Sequence, residues 1–320
     1  MPGQFPLGIA QALVASGRRI VITGAGGWLG LATLELLENA LGGDFGDRVR
    51  CYGSAARTLT LRNGATIEQW PLAEITLLER RPTIVLHLAF LTKDRVDAMD
   101  EVEYRAANQA LSDQVLNALD PIGATAVFVA SSGAARYEAD PGASHALRLY
   151  GALKKRDEDA FIAWAEERRK TAVVARLFNL VGPYINKHQH YALAAFILDV
   201  LERRPIVVRA PHRVVRGFVA VREVMSLVLA LLLEESRQVT RFDTGGVACE
   251  LAEVAEMVAA VLGPVPVERA AIVSEAVDEY VGDGAAYAAL LADHGIQAVP
   301  LDLEIRDTAD FLVATQCRSN

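Results

Sequence analysis

Short apolar runs alternate with longer amphipathic segments through the first half of the chain. The apolar runs predict strands at Ile20–Thr23, Val49–Tyr52, Thr66–Gln69, Ile84–Leu88, Ala126–Ala130 and Ala172–Leu177. Apolar positions at helical spacing predict helices at Leu29–Leu41, Leu72–Glu79, Glu101–Leu119 and Tyr150–Arg169. This alternation is typical of an α/β fold with a Rossmann-type, doubly wound parallel sheet and helices on both faces. Ligands bind such sheets at the carboxyl ends of the strands.

A glycine-rich turn joins the first predicted strand to the first predicted helix. Gly24, Gly27 and Gly30 follow Ile20–Thr23 and precede a leucine-rich helical pattern. In a dinucleotide-binding unit, Gly24 permits the turn, Gly27 lets a pyrophosphate approach the backbone, and Gly30 lets the helix pack on the strand. The helix N-terminus offers N–H groups to the phosphates. A glycine cluster alone is also typical of a turn with positive φ, so the flanking strand and helix carry this prediction.

The end of the second predicted strand indicates which dinucleotide binds. A carboxylate there accepts hydrogen bonds from the ribose hydroxyls and repels a 2′-phosphate. No Asp or Glu occurs from Tyr52 to Asn63, whereas Ser54, Arg57 and Arg62 do. The sequence therefore favours NADP over NAD, and the alternative is that Arg57 is an ordinary solvated loop residue.

The fourth predicted strand ends in His87-Leu88-Ala89-Phe90. We expect Leu88, Ala89 and Phe90 to pass beneath the cofactor, where the small side chain of Ala89 permits close approach. His87 lies within an apolar strand, so we interpret it as a hydrogen-bonded core histidine rather than a catalyst.

Candidate catalytic residues follow the fifth predicted strand. This strand runs into Ser131-Ser132-Gly133, and Tyr150 and Lys154 stand four residues apart at the start of a predicted helix, where they project to one side. A phenol with a pKa of about 10 is a poor base at neutral pH. An adjacent ammonium and a nicotinamide cation favour the phenolate, which then removes a proton from a substrate hydroxyl. A Tyr-x-x-x-Lys pattern alone is typical of a surface pair, but together with the serines and the glycine turn it favours catalysis.

These motifs resemble the extended short-chain dehydrogenase/reductases of the NAD(P)-dependent epimerase/dehydratase family, which act on nucleotide-diphosphate sugars. The resemblance covers nearly the whole chain. It rests on Thr23–Gly30, His87–Ala89, Ser131–Gly133, Tyr150 with Lys154, Arg176–Pro183, Arg216–Val221 and Phe242–Gly246.

The resemblance implies roles for individual residues. Tyr150 is the catalytic base, Lys154 binds the nicotinamide ribose, and Ser132 is the assisting hydroxyl. Asn179 meets the substrate, and Arg216 grips its diphosphate. The residues expected to contact the cofactor are Thr23, Gly24, Gly26, Gly27, Trp28, Leu29, Ser54, Arg57, Leu88, Ala89, Phe90, Tyr150, Lys154 and Pro183.

The polar loop Asn186–His190 is expected to touch the substrate, with Lys187 or His188 as a second acid or, alternatively, as solvated side chains. His188 and His190 lack carboxylate or cysteine support nearby, so no metal site is predicted.

The sequence departs from the family pattern at three places, and one of them limits the reactions that we expect. The loop after the fifth strand is longer by one residue, which leaves open whether Ser131 or Ser132 faces the substrate. Gly133-Ala134 stands where sugar-nucleotide dehydratases carry an Asp-Glu pair, which speaks against dehydration. Arg222-Glu223 replaces an Asp-Asp pair, so the next helix must be capped differently. The resemblance thus implies a sugar-nucleotide epimerase, and the alternatives are an NADP-dependent ketoreductase and a non-catalytic dinucleotide-binding protein.

Composition limits the partners. The 320 residues are 52% hydrophobic and carry a net charge of −8, which predicts a globular protein and argues against nucleic acid or an anionic membrane as the main partner. Cys51, Cys249 and Cys317 are far apart, which suggests neither a zinc site nor a disulfide framework. No secretory signal and no apolar run of ~18–20 residues is apparent, so we expect a cytoplasmic protein without a membrane span.

Domain organisation is predicted from the same patterns. We expect a dinucleotide-binding domain of residues 1–183 with a return segment 216–247, and a substrate-binding lobe of residues 184–215 and 248–320. Phe218–Gly246 is expected to return to the main sheet, and Glu268–Ala289 to form a solvated amphipathic helix. The resemblance also implies a homodimer that pairs the helices Glu101–Leu119 and Tyr150–Arg169 of two subunits.

Overall fold

The computed structural model describes residues 3–234 and 236–319, with the backbone alone for residue 97 and residues 316–319. The strands are β1 (Arg19–Thr23), β2 (Val49–Gly53), β3 (Arg57–Thr60), β4 (Thr66–Pro71), β5 (Thr83–His87), β6 (Ala124–Ser132), β7 (Thr171–Leu177), β8 (Asn179–Val181), β9 (Ile206–Val208), β10 (Arg213–Ala220), β11 (Val239–Asp243), β12 (Val247–Glu250), β13 (Val267–Arg269) and β14 (Val277–Tyr280). The helices are α1 (Leu7–Ser16), α2 (Trp28–Leu41), α3 (Phe45–Arg48), α4 (Glu101–Leu119), α5 (His145–Arg168), α6 (Ala192–Leu201), α7 (Val221–Leu233), α8 (Leu251–Leu262), α9 (Gly284–Asp293) and α10 (Leu301–Ser319).

The main sheet has eight strands in the order β11-β7-β6-β5-β1-β2-β4-β3. All neighbours are parallel except β3 and β4, which form an antiparallel hairpin at one edge. Strands β2, β4 and β3 lie on one side of β1, and β5, β6, β7 and β11 lie on its other side. The predicted α/β class with a mostly parallel central sheet is confirmed. The switch between β1 and β5 is the place where such sheets bind ligands.

Burial explains why the central strands are apolar without alternation. Every residue of β1 and β5 is buried, as expected for parallel strands covered on both faces. One core cluster packs sheet residues such as Val85 and Val127 against Val115 of α4 and Phe161 of α5. Helices α4 and α5 are thereby packed against the main sheet.

The chain forms two compact units. One comprises residues 3–177 and 225–243 and contains the main sheet. The other comprises residues 178–224 and the chain from Thr244 onward. It contains the strands β12-β10-β14 in that order, with β8 also paired to β10, and the two-stranded pair β13-β9. The functional partition into a cofactor domain and a substrate lobe stays a prediction.

Two predicted helices have wrong limits. Leu72–Glu79 is a short 3₁₀ segment, Leu72–Leu77, rather than an α-helix. Helix α5 begins at His145, five residues before Tyr150, because the hydroxyl of Ser144 caps it by accepting from the N–H of Leu147 at 3.2 Å.

Two predictions for the second half of the chain are also wrong. Residues Phe218–Ala220 belong to β10 in the second unit, and only β11 of the expected return segment joins the main sheet. The segment Glu268–Ala289 contains β14, which pairs in parallel with β10, before α9 begins at Gly284. Pairing with β10 satisfies the backbone of β14 in place of helical hydrogen bonds.

No helix in the described ranges is long and apolar enough to cross a membrane.

The packing of Gly30 against the turn that precedes α2 predicts the effect of a single methyl group. A Cβ at Gly30 would lie 2.6 Å from the carbonyl oxygen of Gly24 and would also collide with that of Ala25. We expect Gly30→Ala to lower the free energy of unfolding by roughly 1–3 kcal/mol, because the backbone has to shift. Gly43→Ala, which introduces a methyl group into open space, is the control. Urea unfolding measures both, and equal stability of the two variants would contradict the close packing.

Candidate active site

The turn between β1 and α2 is shaped by close backbone contacts. Gly24 has φ +71°, and a Cβ there would lie 2.7 Å from the backbone nitrogen of Ala89, so the position accepts only glycine without strain. The N–H of Gly24 donates to the carbonyl oxygen of Tyr52 at 2.8 Å, and the N–H of Leu88 donates to that of Thr23 at 3.2 Å. The ends of β1, β2 and β5 therefore meet at this turn.

The start of α2 fits a bound pyrophosphate. Gly27 is the N-cap and supplies no side-chain cap to the first turn, which begins with Trp28 and Leu29. An uncapped helix N-terminus after a glycine turn is a cradle for phosphate, because its N–H groups and dipole favour negative charge. The structure thus brings together the predicted cofactor residues of the turn, Thr23–Leu29, and those after β5, Leu88–Phe90. These residues fit a dinucleotide.

His87 is part of the supporting layer. Its Nδ1 lies 2.9 Å from Oγ1 of Thr23, and its ring packs on Phe161 with 4.9 Å between centroids. Burial, with a smaller effect of the Lys154 charge, lowers the pKa of His87 to about 3. The imidazole is therefore neutral at physiological pH and orients Thr23 beside the glycine turn.

Arg57 lies against the glycine turn. Its guanidinium covers Gly26 so closely that a Cβ at Gly26 would collide with it. Ser54 is exposed in the loop between β2 and β3. Arg62, in contrast, forms an ion pair with Glu35, Nη2 to Oε1 at 2.6 Å. Of the two arginines in this stretch, Arg57 is the one that contacts the turn.

Gln69 is a site residue that sequence reasoning missed. It lies on β4 and its side-chain Oε1 accepts from the N–H of Gly26 at 3.2 Å. Its position beside the turn depends on the pairing of β2 with β4, in which Cys51 is opposite Gln69. No local pattern around Gln69 signals this contact.

Lys154, Phe90 and Tyr150 form a compact cluster. The Nζ of Lys154 donates to the carbonyl oxygen of Ala130 at 2.8 Å and lies 3.6 Å from the centroid of the Phe90 ring. Phe90 meets Tyr150 edge to face, with ring centroids 5.6 Å apart, and the same Nζ is 6.0 Å from the Tyr150 centroid. The ammonium therefore stands beside a half-buried phenol and has two partners of its own.

Burial sets the protonation of Lys154. Its side chain is 5% exposed, and desolvation lowers its pKa to about 8, while the charges of Asp157 and Glu158 oppose this effect. The ammonium is therefore the main form at neutral pH, but its proton is held far less tightly than that of a surface lysine.

The two strand-end serines have different partners. The hydroxyl of Ser131 donates to Oε1 of the fully buried Glu158 at 2.6 Å. Arg176 binds the same carboxylate through Nε and Nη2, each at 2.8 Å, and this pairing raises the pKa of Arg176. Ser132 points to the opposite face of β6, and its hydroxyl accepts from the N–H of Ala134 at 3.2 Å. Ser131 thus belongs to a buried ion-pair network, and Ser132 caps the turn that follows β6.

The predicted substrate residues Asn179, Lys187 and Arg216 lie in the second unit, and so does Pro183, which the sequence predicts to contact the cofactor. Asn179 Nδ2 donates to the carbonyl oxygens of Gly217 at 3.4 Å and Tyr280 at 3.3 Å, so this amide joins β8, β10 and β14. Arg216 Nη2 binds Oδ2 of Asp278 at 2.8 Å. The structure therefore brings Asn179 and Arg216 onto neighbouring strands.

The loop with Lys187 ends in a 3₁₀ turn, His188–His190. Nε2 of His188 lies 3.0 Å from the carbonyl oxygen of Ile185, which ties this ring to its own loop.

Within the described part of the chain, no three His, Cys, Asp or Glu side chains are grouped to hold a metal ion. Cys51 and Cys249 are buried free thiols, and burial raises the pKa of Cys51 to about 12. The side chain of Cys317 lies outside the described residues.

Comparison with known proteins agrees with this geometry. A model of the NAD dependent epimerase/dehydratase family matches residues 20–243. The dTDP-L-rhamnose 4-epimerase of Burkholderia thailandensis is 24% identical over 306 residues, which cover 79% of this chain and 84% of that protein.

Solved structures show the same fold. The UDP-N-acetylglucosamine 4-epimerase of Methanobrevibacter ruminantium M1, in complex with UDP-N-acetylmuramic acid, has a TM-score of 0.72 and 18% identity over 93% of this chain and 99% of its own. The UDP-glucose 4-epimerase of Thermus thermophilus, in complex with NAD, has a TM-score of 0.66 and 25% identity over 92% of this chain and 98% of its own.

The environment of Lys154 predicts a pH-dependent stability. Its pKa is about 8 in the folded protein against an ordinary value of 10.5, so the unfolded chain holds this proton more tightly. Between these pH values the free energy of unfolding of the wild type should therefore rise relative to that of Lys154→Met, by on the order of 3 kcal/mol in all.

Urea unfolding across this pH range measures the difference. Lys155→Met is the control, because Lys155 pairs with the exposed Asp159 at the surface. The assigned burial would be contradicted if the difference in free energy of unfolding between wild type and Lys154→Met did not change with pH.

Proposed function

Because the chain belongs to the NAD dependent epimerase/dehydratase family, we propose that it is a sugar-nucleotide epimerase that works by transient hydride transfer with bound NAD(P). The observation that carries this proposal is the cluster of Lys154, Phe90 and Tyr150, which lies in the same unit as a glycine turn that fits a dinucleotide. The similar proteins named above are epimerases of dTDP- and UDP-linked sugars, which supports this substrate class.

Tyr150 is the proposed base. Its phenolate takes the proton of a sugar hydroxyl while the carbon that bears this hydroxyl is oxidised to a ketone. The phenol returns a proton when the ketone is reduced. The Lys154 ammonium favours the phenolate and holds the ribose next to the nicotinamide. When bound, the nicotinamide supplies hydride chemistry, accepting a hydride from the sugar carbon and returning it.

Ser132 is the proposed hydroxyl that holds the reacting oxygen. Ser131 donates its hydrogen to Glu158, so it serves the buried ion pair rather than the substrate. No carboxylate follows Ser132, where Gly133 and Ala134 stand, and this lack of an acid–base pair supports epimerisation over dehydration.

Arg216 is proposed to bind the diphosphate of the substrate, and Asn179 and Lys187 are proposed to contact the substrate. Arg216 is suited to this because its planar guanidinium binds phosphate oxygens in pairs. It forms such a pair with the exposed carboxylate of Asp278, so a diphosphate would replace or share that partner. The homodimer inferred from the family resemblance is part of the same proposal.

The proposed cofactor is NADP rather than NAD. The support is Arg57 over Gly26 together with the lack of a carboxylate at the end of β2. The position of Arg57 and the lack of this carboxylate also favour the second candidate function, an NADP-dependent ketoreductase that releases its reduced product. The two activities differ in stoichiometry, since the reductase consumes one reduced cofactor per product and the epimerase consumes none.

The base assignment predicts the behaviour of Tyr150→Phe. This variant removes only the phenol oxygen and keeps the ring that contacts Phe90, so cofactor dissociation constants should stay within about twofold. Turnover of a panel of dTDP- and UDP-sugars should fall by at least about 10²-fold, because general acid–base catalysis is lost. Isomer formation is followed by chromatography and reduction by nicotinamide absorbance. Unchanged turnover would refute the role of Tyr150, and wild-type protein without either activity would favour a binding protein.

The cofactor assignment predicts the effect of Arg57→Ala. The dissociation constant for NADP should increase roughly tenfold or more, because a charge-assisted contact to the 2′-phosphate is lost. The constant for NAD should change little. Arg80→Ala, at an exposed arginine that donates to the carbonyl oxygen of Asp120, is the control. Equal losses for NADP and NAD would contradict the preference.

A further inference from the structure

Gln69 is a buried amide with a partner at each end. It is 2% exposed, its Oε1 accepts from the N–H of Gly26 at 3.2 Å, and its Nε2 donates to the carbonyl oxygen of Ala55 at 2.9 Å. An oxygen that meets an N–H and a nitrogen that meets a carbonyl fix the orientation of the amide. One side chain thus joins the glycine turn to the loop between β2 and β3.

The same amide fills the space beyond the end of β2. Gly53 is the last residue of this strand, and a Cβ there would collide with the amide atoms of Gln69. A side chain at Gly53, including the carboxylate that selects NAD in related folds, therefore requires Gln69 to move. The Gln69 amide thus provides the polar group at the end of β2, where related folds use the side chain of a β2 residue.

Arg57 is the direct cross-strand neighbour of Gln69. The two residues are opposite each other in the antiparallel pair of β3 and β4, so their side chains share a face. Both contact Gly26: Gln69 through the N–H and Arg57 by covering the Cα. Gln69 also holds Ala55, two residues before Arg57, and so limits where the guanidinium can lie.

We propose that Gln69 is the positioning residue that makes this site selective for a 2′-phosphate. It holds Arg57 over the glycine turn and keeps a β2 carboxylate out. The ligand group is a phosphate monoester on the adenosine ribose, and Arg57 is its direct partner. This inference rests on the dinucleotide site of the proposed function but not on any catalytic step.

Binding of two nucleotide fragments tests the proposal without turnover. Adenosine 2′,5′-bisphosphate carries the 2′-phosphate and AMP does not, and calorimetry gives both dissociation constants for wild type, Gln69→Ala, Arg57→Ala and the double variant. Wild type should bind the bisphosphate at least about tenfold more tightly than AMP. Gln69→Ala should remove most of this ratio while AMP affinity changes less than about threefold.

The double variant separates positioning from a general structural role. If Gln69 acts through Arg57, the ratio for the double variant should equal that for Arg57→Ala alone. The proposal would be overturned if the double variant lost more of this ratio than Arg57→Ala does, so that the two effects multiplied. It would also be overturned if Gln69→Ala lost affinity for AMP and for the bisphosphate equally.

A second substitution covers the case in which Gln69→Ala does not fold. Gln69→Glu keeps an acceptor for the N–H of Gly26 and adds a negative charge beside Arg57, so bisphosphate should lose its advantage over AMP. A retained advantage would overturn the proposal. Wild type that prefers AMP would overturn it too, yet would leave an NAD-dependent epimerase intact. Normal fragment selectivity without sugar turnover would instead contradict the proposed function alone.

Discussion

The buried ammonium of Lys154 is the interaction on which the rest of the candidate site depends. Burying a charge costs several kcal/mol unless partners compensate, and Lys154 has two, the carbonyl oxygen of Ala130 and the face of the Phe90 ring. These partners come from the end of β6 and from the residues that follow β5. The ammonium therefore joins α5 to two strand ends of the sheet and holds Tyr150, one turn earlier on α5, at the carboxyl edge where ligands bind.

Three side chains at helical spacing on α5 organise this edge. Tyr150, Lys154 and Glu158 recur every four residues, so a phenol, an ammonium and a carboxylate follow one another along one face. The charge of Glu158 opposes the effect of desolvation on the pKa of Lys154, and its carboxylate binds Arg176 and Ser131. A single helix face thus supplies the proposed base and its cationic neighbour, and the carboxylate that engages Ser131.

The sequence was most informative where structure is local. The glycine turn was predictable because the apolar strand before it and the leucine pattern after it are contiguous, and the confirmed fold class followed from the same alternation. The start of α5 was missed because its cap, Ser144, lies in a polar stretch that resembles a loop. Gln69 and the pairing of Arg216 with Asp278 were beyond prediction, because each depends on strand register between distant segments, β2 with β4 and β10 with β14.

A dinucleotide on the glycine turn is expected to reach the buried ammonium of Lys154. A crystal structure of the protein grown with NADP, and a second with NAD, measures this most directly. We expect pyrophosphate at the N-terminus of α2 and ribose hydroxyls in hydrogen-bond contact with Nζ of Lys154. A dinucleotide bound elsewhere, or one whose ribose leaves Lys154 in contact with Ala130 and Phe90 alone, would contradict this expectation.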